Sequence, residues 1–162
     1  MALLVFVAFG IGSLNLVNAP NNDAKLVPLG IHMALGVAIL LLAFARYALR
    51  LFVFKPSPIA HTRKKMILLD RMTPYVHILL YFCTGLMAVL GLLIAFPADL
   101  FSTVWAGSGA PLPNDFYIYP ARSWHGTLSL FLVLLIVQHI LVMIYHQFIK
   151  GENYLGRMWF NK

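Results

Sequence analysis

A chain of 162 residues has one domain's length, but 61% of it is apolar and only 10% is charged, against about 25% charged in a soluble domain. That balance excludes a water-soluble fold. It also excludes the nucleic-acid role that a net charge of +7 could suggest, because no soluble surface remains to carry a basic patch. One cysteine, Cys83, excludes an internal disulfide and a cysteine-built zinc or iron–sulfur site, and within an apolar run it reads as a small packing residue.

Crossing a bilayer takes about 20 apolar residues, and four runs reach that length, at 1–18, 28–54, 72–96 and 122–149. The fold class read from this pattern is all-α: an integral membrane four-helix bundle, one membrane domain over 1–162 with the lipid bilayer as its surroundings. Charge sets its orientation. Arg46, Arg50, Lys55, Arg63, Lys64, Lys65 and Arg71 lie at or between the second and third runs, and Lys150, Arg157 and Lys162 follow the fourth. The other connections hold Lys25 and Arg122 against Asp23, Asp99 and Asp115. Short cytoplasmic connections carry the Lys/Arg excess, so the 55–71 loop and both termini are expected in the cytoplasm.

The first run, "MALLVFVAFGIGSLNLVNAP", has a small-residue site near Asn18-Ala19 like that of a secretory signal, but it lacks the basic leader of one. It reads as a first span. "NNDAKLVP" is a short outer loop, and the second span opens near Pro28. It closes in "RYALRLFVFKPSP", whose arginines can reach the inner interface and whose prolines stop the helix. "HTRKKMILLDRMTP" is an inner connection lying partly in the headgroup plane, and the third span follows from Pro74 to Phe96. Residues 97–121 form the longest outer loop, with tryptophan and tyrosine suited to the interfacial belt. Gly36, Gly85 and Gly91 are expected as close-packing points between helices.

The fourth span, "SWHGTLSLFLVLLIVQHILVMIYH", carries His125, His139 and His146. An imidazole in the hydrocarbon region is costly unless it is paired or bound to a metal. One alone could satisfy itself on a neighbouring carbonyl, whereas several in register point to metal. Fourteen residues turn a helix by about 1400° and advance it about 21 Å, so His125 and His139 share a face at two depths. His32 stands four residues past Pro28 and His125 three past Arg122, and both spans enter from the outer side. The two imidazoles therefore sit at one level, suited to axial ligation of a haem iron between facing helices. No carboxylate or thiolate at that depth offers zinc a completed site. Gly126 and Gly36 would leave room for a flat macrocycle.

His139 needs an inner partner, and His77, six residues past Arg71, is the candidate. The first run has no histidine; its matching level is Met1. His146, beside Tyr145 and Gln147, reads as a surface residue or a propionate contact, and His61 as a solvated loop residue. Arg46 and Arg50 could hold haem propionates or quinone-headgroup oxygens through charge-assisted bonds, or simply anchor the span at the interface.

These residues resemble the prokaryotic cytochrome b561 family of four-helix dihaem membrane cytochromes, over nearly the whole chain. The likeness is carried by "SWHGTL…QH" with its fourteen-residue histidine spacing, by "IHMALGVAILLLAFARYALRL", by "HILLY" followed by "GLMAVLGLL", and by the exit "YHQFIKGENYLGRM". It implies one haem b held by His32 and His125 near the periplasm. A second would be held by a first-span histidine and His139. The family's first span opens with an Arg-x-x-x-His-Trp type start, which would fall around Met1 or Ala2, where this sequence has no histidine. Either the true start of the chain lies upstream of Met1 and carries that histidine, or the ligand is lost and the second haem with it; a His77–His139 pair would be a substitute, although the histidine of "HILLY" is not the family's usual ligand.

The resemblance further implies single-electron exchange between membrane quinone and a periplasmic-side partner, in the bacterial cytoplasmic (inner) membrane. Some members use superoxide; others serve as subunits of larger electron-transfer complexes. The slightly negative outer loops give superoxide little steering. A different class of reading is a structural or accessory subunit that kept the scaffold and lost one or both haems. A solute transporter would need interrupted helices and intramembrane carboxylates, which the sequence does not offer.

Overall fold

The computed structural model describes residues 1–52 and 67–151, with side chains at all of these positions except 50, 67–71, 73 and 74. Within that range every regular element is helical. Helix α1 (Ala2–Gly10) continues through wide turns at Ile11–Leu16. Then come α2 (Leu26–Phe52), α3 (Ile67–Ala95), the short α4 (Leu100–Val104), and α5 (Pro120–Ile144), which also ends in wide turns at Tyr145–Ile149. Lys55, His61, Arg63, Lys64 and Lys65 of the expected inner connection, together with Arg157, Lys162 and the Arg50 side chain, lie outside the described residues.

Three stretches are long and apolar enough to cross a membrane, at Asp23–Leu49, Tyr75–Ala95 and Pro120–Ile149. The apolar helix Ala2–Leu16 is shorter; its 15 residues rise about 22 Å, against about 30 Å of hydrocarbon. Proline chemistry shapes the starts. Pro120 is the first residue of α5, a position whose N–H has no intrahelical acceptor. Pro28 is the third residue of α2, where the N–H is still unneeded, so this helix begins ahead of the proline rather than at it. Helix α3 likewise begins at Ile67, inside the stretch expected as a connection. The apolar run Ile67–Leu69 supports helix there, and Pro74 removes only one backbone bond.

Packing order fixes what can meet in the middle. Helix α1 packs on α2 and α5, and α3 also packs on α2 and α5. Helices α2 and α5 therefore face each other across the diagonal of the bundle. The central core gathers Val5, Ala8, Ile39, Cys83, Leu132 and Ile136 from all four helices. A second cluster of Leu29, Ala95, Leu100 and Leu112 closes the outer end. There the long loop folds onto the bundle: Asp115 caps the Tyr117 N–H at 2.8 Å, and the Asn21 side-chain amide donates to the Asn114 carbonyl at 2.8 Å. The outward faces carry Leu3, Val27, Phe44, Ile78, Phe82 and Phe131, all exposed, as a lipid-facing bundle requires.

Cys83 is buried in the core, as the sequence suggests. The glycines divide. A Cβ on Gly36 or Gly85 would meet nothing within 4 Å, so neither is a close-packing point; both face open space instead. Gly91 does sit against another helix.

Leu132 is 3% exposed at the centre of the core, whereas Leu130 is 53% exposed on the lipid face. Leu132→Ala should cost about 2–5 kcal/mol, and Leu130→Ala within about 0.5 kcal/mol. Thermal unfolding of the detergent-solubilised protein measures both, and equal losses would contradict the packing.

Candidate functional site

Two histidine pairs occupy the bundle at different depths. In the outer pair, His32 of α2 and His125 of α5 face each other across the diagonal, ring centres 6.2 Å apart and planes at 67°. The His32 ring is set by α1: its Nδ1 lies 3.0 Å from the Ala8 carbonyl. Nδ1–H is assigned as the donor because a carbonyl can only accept, which leaves Nε2 with a free lone pair. Ala8 stands just before the passage from regular to wide turns, a place where helical carbonyls change partners. One turn further, a Cβ on Gly12 would come within 3.2 Å of His32 Cε1. The helix without a histidine thus shapes the site by a carbonyl and a missing side chain.

His125 is held differently. A Cβ on Gly91 of α3 would sit 3.5 Å from its Cε1 and 3.9 Å from its Nδ1. That Nδ1 is buried and has no hydrogen-bond partner; the Met87 backbone acts on the ring but does not meet hydrogen-bond geometry.

In the inner pair, His77 of α3 and His139 of α5 are on adjacent helices, ring centres 5.0 Å apart and planes at 79°. The Arg46 charge acts on His139, and nearby Tyr47 and Tyr81 stack edge-on at 5.7 Å. His146 differs from its expected surface position: it is 6% exposed, edge-on to Tyr145 at 5.8 Å. Helix α5 has passed into wide turns there, so regular-helix face counting no longer holds. With Leu134, Gln138 and Leu141 it lines a groove of about 340 Å³ along α5.

Two cations that sequence reading took only as loop charges are held at the outer end of the bundle. Lys25 is 7% exposed; its Nζ donates to the Ala19 carbonyl at 2.9 Å and the Asn21 Oδ1 at 2.7 Å, and lies 5.6 Å from the centre of the Phe116 ring. Arg122 lies over the Tyr117 ring at 5.3 Å, and its Nη1 is 3.2 Å from where a Gly126 Cβ would be. Its charge acts on Lys25, His32 and His125 alike. Chain position carried only part of the signal: Lys25 lies seven residues before His32 and Arg122 three before His125, both on the outer side.

Among the described residues no group of three or more His, Cys, Asp or Glu comes together. Paired histidines suit a metal that arrives with its remaining ligands in a macrocycle. Imidazoles bound on opposite sides of one metal at about 2 Å each place their ring centres roughly 6 Å apart. The outer pair has that spacing; the inner pair is closer than this.

A family model described as prokaryotic cytochrome b561 matches residues 1–161. The chain belongs to the prokaryotic cytochrome b561 family. No curated protein and no solved structure matches it. Membership makes the chain a multi-pass membrane protein of the b-type cytochrome kind, with an electron-transfer role and haem b as the implied cofactor. The outer pair fits that group in donor type and spacing.

Gly12→Val should push the His32 ring off the Ala8 carbonyl and lower bound haem several-fold. Gly10→Val, where a Cβ meets nothing within 4 Å, should leave it unchanged. Pyridine haemochrome content of the purified variants reads the difference.

Proposed function

We propose that this chain is a single-electron carrier of the bacterial cytoplasmic membrane, with His32 and His125 as the two axial ligands of one haem b. The observation that carries the reading is the pair of opposed imidazoles at 6.2 Å, one already turned by the Ala8 carbonyl. Haem iron held this way supplies one-electron exchange at a potential the protein sets. His32 contributes a ligand of fixed tautomer, and its Nδ1–H bond to Ala8 raises the basicity of Nε2. Gly12 and Gly91 give the two rings room to stand upright, while Leu29, Leu100 and Leu112 close the outer end against water.

The positive-inside pattern supports the orientation, with both termini cytoplasmic and the outer pair near the periplasmic face. Quinone on the membrane side and a protein or small-molecule partner on the periplasmic side are the exchange partners this reading favours. Asp23, Asp99 and Asp115 against Lys25 and Arg122 give little steering for superoxide. Arg46 near His139 suits a propionate or a quinone oxygen at the inner interface; the same role for Arg50 rests on sequence position alone.

The inner rings, 5.0 Å apart on adjacent helices, are closer than two imidazoles on opposite sides of one iron, and this reading therefore favours a partner other than His77 for any second haem at His139. This spacing also favours, as a second reading, a subunit of a larger electron-transfer complex with fewer haems than its relatives.

His32→Ala and His125→Ala should each abolish the low-spin α band and cut haem content about tenfold or more, whereas His77→Ala should keep both. Reduced-minus-oxidised spectra test this. A band that survives both outer replacements would overturn the reading.

A further inference from the structure

Among the described residues Lys25 and Arg122 form no ion pair with an acidic side chain; Asp115 caps Tyr117, and Asp99 accepts from Ser102. Lys25 is buried nonetheless and held from below by a carbonyl and an amide oxygen. Arg122 has a ring beneath it and no hydrogen bond from its guanidinium to any described residue, so its five N–H donors are unspent. Burying a lysine and setting an arginine beside it is unfavourable unless an anion is meant to lie between them or beside them. The two cations meet at the same short loop segment, Lys25 over the ring of Phe116 and Arg122 over that of the next residue, Tyr117, at the outer end of the bundle from which His125 follows Arg122 by one turn. Gly126 keeps the guanidinium tucked against its own helix, on the turn that also carries His125.

Resting on the haem reading above, we infer that Lys25 and Arg122 form a carboxylate clamp that takes the propionates of the outer haem, so that the macrocycle enters with its acidic edge toward the outer face. Arg122 offers the planar fork that pairs with a carboxylate through two bonds. Lys25 offers a point charge whose position is already fixed by Ala19 and Asn21, so little side-chain freedom is lost on binding. The clamp sets the rotation of the macrocycle, which two axial histidines alone leave open. It is a positioning device; neither residue touches the iron.

The test reconstitutes haem-depleted full-length protein with haem or with its dimethyl ester, which keeps the ring and iron but has no carboxylates. The wild type should bind haem about tenfold or more tightly than the ester, as expected for lost charge-assisted bonds, and both complexes should be low-spin. The Lys25→Gln/Arg122→Gln double variant should bind the two within about threefold, still low-spin because the histidines remain. Arg122→Lys, which keeps the charge and loses the fork, should retain part of the preference. Full discrimination persisting in the double variant would overturn the clamp, as would a wild type that does not discriminate. If the double variant binds neither compound, Arg122→Lys and Lys25→Gln decide singly: undiminished preference in both overturns the clamp. Failure of the haem reading itself looks different, because then the wild type forms no low-spin complex with either compound.

Discussion

The bond from His32 Nδ1 to the Ala8 carbonyl is the constraint on which the rest of the site depends. In a medium without water an imidazole must spend both nitrogens or bear the cost. Ala8 takes one, leaving the other with a free lone pair on a ring whose centre lies 6.2 Å from that of His125. Remove that bond and His32 is free to turn its lone pair toward α1, and no fixed pair remains. The helix with no histidine among its residues is therefore what fixes the His32 ring.

Helix order explains why two histidine pairs on the same helix, α5, have different capacities. Adjacent helix axes pack about 8–10 Å apart, which is enough for two rings to touch edge-on, as His77 and His139 do. Helices across the diagonal stand further apart, and the rings of His32 and His125 are accordingly more widely spaced, at 6.2 Å. The spacing of each pair thus follows from which helices are neighbours.

The sequence made the spans, the depth of the histidines and the family likeness legible, because length, apolar runs and a fourteen-residue step depend only on the geometry of one helix. What it could not convey were relations between helices. Gly12 looked like any small residue until His32 was seen against it. Gly36 and Gly85, chosen as packing points by type alone, face open space. His146, read from its polar neighbours as a surface residue or a propionate contact, is buried where α5 passes into wide turns. Lys25 and Arg122 entered only as loop charges because their burial comes from the outer loop folding back over the bundle. The inner partner of His139 was named correctly as a neighbour, but the 5.0 Å contact shows a proximity that spacing rules could not turn into a distance.

The central claim is that the diagonal pair alone suffices to hold a six-coordinate iron. Electron paramagnetic resonance of the oxidised protein, with His77 and His139 both replaced by alanine, tests it most directly. A low-spin ferric signal of two nitrogen axial ligands is expected to remain. A high-spin signal, or none with haem content lost, would contradict the account.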